Sequence, residues 1–463
     1  MKRYFLFLVI PLLMMACEHQ LDIVPKGKVT LGRVSELELL LNQEYNLEML
    51  PAMDLGVLAG ESLGMFDQVS TILSQTNTVK YAQMAFDEQV DRATLTTNDV
   101  RYAALYKYIN YMNTIVEKMP DAEGDAARKP QFVAEARVMR AYLHWLVVCL
   151  HAHQYDEATA KTDGGIAYVT STDVMEQKQK LTLAETYIRI LDDVSDEVIV
   201  QLPEDHGDQV MRGDRAWGYA VRAMVLLQMK RYAEALPYAE QAVKLRPNMF
   251  DRSTVKATGQ WTQDRTTLNN ILYIGAGIRV CPTSEMLTLE TNALFEPGDY
   301  VRVYDKPDGW SQNYGESYSG LSGVLMYMGW GAQCNPYGPT SELMHYILAE
   351  CLIRTGEYSR GLALVDQVRA LRVEDYEPFA LRAITTEAEA MALLQRAKWI
   401  ECLGTAFNFI DVKRWNSEPA YARTVSHRLG PHGTFRLAPG SPLWVFPFPV
   451  NAVHYNESLT QNY

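Results

Sequence analysis

Between Arg215 and Pro247, the residues Tyr219, Ala223, Leu226, Tyr232, Ala235, Ala239 and Ala242 recur at helical spacings, interrupted at Lys230-Arg231 and stopped by Pro247. Steps of three and four place such side chains on one helix face. Small residues at the crossing points and an aromatic at the turn are what two antiparallel helices need to pack closely. A second copy runs from Glu342 to Arg372, with Ala349, Gly356, Tyr358 and Val368 in similar places. Val100 to Lys118 and Gln131 to Leu150 have the length and apolar faces of additional helices. A hairpin of this kind buries its apolar face only by stacking on neighbours. The spacing therefore predicts a mainly α chain, a solenoid of about three or four hairpins.

Both copies resemble the tetratricopeptide repeat, through Tyr232, Ala235, Ala242 and Pro247 in the first. Lys230 stands where that repeat has glycine, and Gly361 where it prefers alanine. Between the hairpins the texture changes. Residues 251 to 340 carry short β-prone runs such as Asn270 to Ile274, separated by Gly, Pro, Asn and Asp. From 298 to 340, eight of 43 positions are Tyr or Trp, against 10% aromatic residues overall, and eight are glycine. That glycine content argues against a regular helix and for loops that present rings. A pyranose offers a patch of C–H groups that packs on a ring face, while its hydroxyls bond to polar side chains. Trp310, Tyr314, Tyr318, Tyr327 and Trp330 are the candidate ligand-binding residues, since binding residues concentrate on loops. The competing explanation is that these rings pin a long irregular segment to the core.

Lys2 and Arg3 precede an apolar run from Phe5 to Met15 that ends at Ala16 and Cys17. A basic start, a short apolar stretch and a small residue form an export signal, too short to span a bilayer. A cysteine at the cut marks a lipoprotein, so residues 1–16 are expected to be removed and Cys17 to carry lipid. The alternative is plain export with an incidental cysteine. The chain has 463 residues, 48% hydrophobic and 21% charged, enough for a large core. Its net charge of −13 argues against nucleic acid, whose phosphates require basic patches. The same charge favours neutral or basic ligands over polyanions. Cys149, Cys281, Cys334, Cys351 and Cys402 form no CxxC pair and suggest isolated buried thiols, although Cys281 and Cys334 could pair under oxidising conditions.

Catalytic patterns are weak. Glu285 and Glu290 flank an apolar stretch but read more simply as solvated. Gly315-Glu-Ser317-Tyr-Ser319 lacks the closing glycine of a nucleophile elbow. Gly275-Ala-Gly277 lacks the third glycine and following helix of a dinucleotide loop. His144, His151 and His153 lie in and after one helix, but only 144 and 151 share a face, favouring hydrogen-bonding or core roles over a metal site. No cofactor, metal or enzymatic activity is expected.

The ends and repeats together resemble the SusD/RagB-type outer-membrane lipoproteins of the Bacteroidetes over nearly the whole chain. The matches are Leu21-Asp22 and Pro25, then Leu40-Leu-Asn42 and Tyr45, then Tyr106, Ile109 and Asn113. Ala134-Glu-Ala-Arg137 with Arg140-Ala-Tyr142 follows, then Gly164-Gly165, Leu181-Thr182, Glu185-Thr-Tyr187, Ile190, Asp192 and Leu202-Pro203, then Arg215-Ala216. The most specific match is the ending, Pro447-Phe-Pro449, Asn456, Leu459 and Gln461-Asn462-Tyr463. The chain departs at Gln395-Arg396, Glu401-Cys402 and Leu403 to Phe407, which puts that helix's usual ion pairs in question. Asp411 and Arg414-Trp415 restore the pattern.

The resemblance implies one SusD-like domain over 17–463. Its helical scaffold would occupy about 100–247 and 342–415, the loop-rich ligand subregion with short β elements about 251–340, and the wrapping tail 440–463. It also implies a lipid-anchored protein on the outer face of the outer membrane. Such a protein captures oligosaccharides, or in some members peptides, and delivers them to a SusC-like TonB-dependent transporter. A protein-only interaction role is the remaining alternative.

Overall fold

The computed structural model describes residues 31–43, 52–64, 68–207, 209–258, 266–275, 285–303, 310–327 and 335–463. The expected export signal, Cys17, Cys281, Cys334 and Trp330 lie outside the described residues. The longer helices are α1 (Val100–Lys118), α2 (Lys129–His151), α3 (Leu183–Asp193), α4 (Arg215–Gln228), α5 (Tyr232–Leu245), α6 (Trp310–Ser319), α7 (Ser341–Arg354), α8 (Tyr358–Ala370), α9 (Glu387–Glu401) and α10 (Ala406–Asn416). Three antiparallel two-stranded ribbons accompany them: β1 (Gly164–Ala167) with β2 (Lys180–Thr182), β3 (Glu285–Leu287) with β4 (Leu325–Tyr327), and β5 (Val425–Arg428) with β6 (Thr434–Leu437). No helix among the described residues is long and apolar enough to cross a membrane.

The predicted hairpins are present as α1–α2, α4–α5 and α7–α8, and α5 packs in turn on α7. Their starts are fixed by side chains that accept otherwise unpaired N–H groups: Asp99 from Tyr102, Asp214 from Trp217, and Thr340 from Leu343. Ala235, Ala239 and Ala242 are all buried, as the spacing predicts. Both departures from the repeat have a physical reading. Lys230 takes the left-handed conformation itself, with φ of 59°, at the place where Gly356 of the second hairpin has φ of 92°. At Gly361 a Cβ would sit 2.7 Å from the Ala349 carbonyl oxygen, so this crossing is closer than alanine allows.

Helices α9 and α10 carry buried ion pairs. Lys398 meets Asp411 at 2.6 Å, and Arg414 reaches Glu350 of α7 through two bonds of 2.7 Å each. Glu401, next to the altered Cys402, joins Arg252 and Arg372. Cys149, Cys351 and Cys402 are buried free thiols. His144 is a core residue: its Nδ1 donates to the Arg140 carbonyl, and its Nε2 accepts from the Val169 N–H. Burial pushes its pKa down to about 3. Among the described residues no cluster of His, Cys, Asp or Glu has the make-up of a metal site.

Candidate functional site

The aromatic segment departs from expectation in its local structure. Despite Gly315, residues Trp310–Ser319 form the regular helix α6. Ser311, Gly315 and Ser319, four apart, form its buried stripe. Ser311 donates to the Met326 carbonyl at 2.6 Å, and a Cβ on Gly315 would lie 2.3 Å from the Val324 carbonyl oxygen. The glycine is therefore a packing device that brings the helix onto the backbone of β4, and counting glycines overstated the irregularity. Glu316 accepts the Gly323 N–H at 2.7 Å, which fixes the turn into β4, and Gln68 donates to the Ser317 carbonyl at 2.6 Å.

Tyr314 and Tyr318, one turn apart, occupy the neighbouring stripe of α6. Their rings are stacked, with centroids 5.9 Å apart and planes at 27°. Tyr314 is 39% exposed, while Tyr318 is half-buried against a small apolar cluster that includes Val69, Met286, Leu321 and Leu429. Trp310 opens the same helix one turn earlier, and Tyr327 closes β4 opposite Glu285. Tyr337, also from the aromatic segment, is a core residue, 1% exposed, whose carbonyl accepts from the Tyr142 hydroxyl. The segment thus divides between ring presentation and pinning.

This subregion also holds a pair of carboxyls, one of which, Glu285, the sequence reads as solvated. Glu285 is buried, 1% exposed, rather than solvated, and it faces the equally buried Glu61. Both converge on the space left by Gly56, where a Cβ would lie 3.3 Å from Glu285 Oε2 and 3.4 Å from Glu61 Oε1. Glu61 accepts from the Gly404 N–H at 2.7 Å and from Asn408 Nδ2 at 2.6 Å. Burial raises Glu61 to about 7, and burial with the Glu61 charge pushes Glu285 well above the carboxylate range. The pair ties β3 to the α9–α10 corner. Glu290 is partly exposed and paired with Arg428. No local pattern betrays Glu61, because its partners come from positions 285, 404 and 408.

The architecture is that of a helical-hairpin scaffold on which a small strand and helix subregion is mounted. Residues 43–227 match the SusD-like family described as "Starch-binding associating with outer membrane". Over those residues the chain is similar to SusD-like proteins. A SusD-like carbohydrate binding protein from Bacteroides vulgatus has the same fold, with a TM-score of 0.69 and 14% identity over 92% of this chain and 97% of that chain. The surface glycan-binding protein A of Bacteroides uniformis has a TM-score of 0.66 and 15% identity over 92% and 99%. A SusD superfamily protein from Bacteroides thetaiotaomicron has a TM-score of 0.69 and 14% identity over 93% and 100%. The search of curated proteins returned no match.

Proposed function

We propose that this protein is a non-catalytic, cell-surface lipoprotein that binds oligosaccharides and hands them to a partner TonB-dependent outer-membrane transporter. Cys17 carries the lipid, and Trp310, Tyr314, Tyr318, Tyr327 and Trp330 line the ligand face. The observation that carries the reading is the stacked Tyr314–Tyr318 pair, held at the surface by a helix whose other stripe is locked to β4. A rigid ring platform costs little ordering on binding and matches the C–H face of a sugar. The similarity of residues 43–227 to a family described as starch-binding supports the same ligand class.

The buried Glu61–Glu285 pair does not offer a hydrolytic alternative, because neither carboxyl is exposed to a substrate. A peptide ligand is the second reading, since ring platforms also serve peptides. Titration calorimetry of the full-length protein in mild detergent against oligosaccharide and peptide panels separates the two. Saturable binding to one sugar class is expected. Binding to peptides alone would overturn the sugar reading.

A further inference from the structure

Most of the described arginines in the scaffold have carboxylate partners. Arg140, Arg212, Arg252, Arg354, Arg369, Arg372 and Arg414 all do. Arg423 and Arg436 are among the described arginines that have none, and these two share a cleft. It measures about 350 Å³ and lies between the outer face of the β5–β6 hairpin, the segment around Glu290 and the side of α9 at Trp399.

Strand alternation builds its wall. Val425 and His427 point to the buried side of β5, so Ser426 and Arg428 point outward, and the β6 residues opposite them are Arg436 and Thr434. Arg423, just before β5, lies with its guanidinium carbon 4.9 Å from the centre of the Trp399 ring. Three arginines therefore line one cleft, against the single carboxylate of Glu290, which is taken by Arg428. Arg423 and Arg436 make no ion pair with any described residue. Arg423 is walled by protein yet open to water at the mouth of the cleft, and the surrounding protein lowers its pKa with no carboxylate opposing. Two unneutralised guanidinium groups in a chain of net charge −13 make a local positive site.

We infer that this cleft binds the oxyanion of an acidic sugar residue, a carboxylate or a sulfate ester, with Arg423 and Arg436 as its charge partners. The guanidinium fork matches the geometry of both anions. Thr434 and Ser426, in the same wall, are placed to bond neighbouring hydroxyls. The inference rests on the oligosaccharide reading above and names its class: short acidic sugars, in contrast to the neutral ligands that net charge alone favours. The β5–β6 hairpin is mechanically joined to the ring platform, since Leu429 packs in the same small cluster as Tyr318.

The test is calorimetry of the full-length protein in mild detergent with three probes of matched length: an oligogalacturonate, its methyl ester, and an O-sulfated galacto-oligosaccharide. At least one acidic probe should bind about tenfold or more tightly than the ester, the gain expected of a charge-assisted bond, and that advantage should fade at high salt. Which acidic probe binds identifies the anion. Arg436→Gln and Arg423→Gln should each remove most of the advantage, Arg436→Lys should keep part of it, and Arg360→Gln on α8, which pairs with Glu240 and Glu357 and does not line the cleft, should change nothing. Acidic probes binding no better than the ester, or an advantage that survives both Gln variants, would overturn the inference. Ester binding that Tyr314→Ala abolishes, without any preference for acid, would overturn it while leaving the oligosaccharide reading standing. Silence of all three probes would overturn the inference, while the wider oligosaccharide and peptide panels decide the reading it rests on.

Discussion

Asn462 fills the space that Gly164 leaves empty: a Cβ on Gly164 would lie 2.1 Å from Asn462 Oδ1. The same side chain donates to the His151 carbonyl at 2.8 Å and to the Gly165 carbonyl at 2.9 Å, while Lys180 donates to its Oδ1 at 3.0 Å. The paired glycines and the Gln-Asn ending, separated by almost 300 positions, are thus two halves of one lock that holds the tail against α2 and β1. Asn462→Ala leaves two buried carbonyls unpaired and should cost about 1–3 kcal/mol. Gly164→Ala should cost a similar amount by overpacking. Urea unfolding midpoints measure both.

Glu350 and Arg414 are both fully buried and joined by two bonds, with Trp415 Nε1 donating to Glu350 at 3.1 Å. Despite burial, the Arg414 charge holds Glu350 down at about 2, against 4.5 in an unfolded chain. Its stabilisation is therefore whole above pH 4.5 and is lost as the pH falls toward 2. Glu350→Gln strands a buried guanidinium and should cost about 3–5 kcal/mol near neutrality, with a difference from the parent that shrinks in acid. Thermal melts across that range check this.

The close crossing at Gly361 makes an opposite forecast to the one its repeat consensus suggests. Gly361→Ala improves helix propensity by about 1 kcal/mol, but its methyl would press on the Ala349 carbonyl and on Ile353 Cγ1, each at 2.7 Å. Net destabilisation of about 1–2 kcal/mol is expected, read from a shifted urea midpoint. Stabilisation would show that α7 and α8 can move apart freely.

The Glu61–Glu285 pair sets the alkaline side of stability. Glu61 titrates near 7 in the fold and near 4.5 unfolded, so the folded state holds the extra proton between these values, and stability declines as pH rises through that window. Glu285 is held protonated in the fold, so Glu285→Gln removes the cost of keeping that proton as the pH rises, while its amide can still donate to Glu61. It should raise stability at pH 8 by about 1 kcal/mol or more and flatten the decline. Melting temperatures at pH 5 and pH 8 distinguish this from a variant that merely loosens β3.

The hairpins were legible because their signal is local: Ala235, Ala239 and Ala242 report burial through spacing alone. The tail lock was legible only through family resemblance, since nothing near Gly164 announces Asn462. Helix α6 reads as loop when its glycine is weighed by propensity, whereas its role is set by β4, which follows it in sequence and whose Leu325–Met326 backbone it approaches. Glu285 was misread for a related reason. A carboxylate between apolar residues looks solvated until Glu61, Gly404 and Asn408 are brought around it by tertiary packing. The arginine wall of β5–β6 is an alternation visible in the sequence, but that Arg423 and Arg436 have no carboxylate partner among the described residues emerges only from the fold.

Tyr314 tests the central claim most directly, because it is exposed and its neighbour Tyr318 supplies the anchoring contacts. Titration of the full-length protein with an oligosaccharide that it binds should give at least a tenfold weaker affinity for Tyr314→Ala, the loss expected for one stacked ring, with an unchanged melting temperature. Unchanged oligosaccharide affinity in that variant would contradict the account and move the ligand face away from α6.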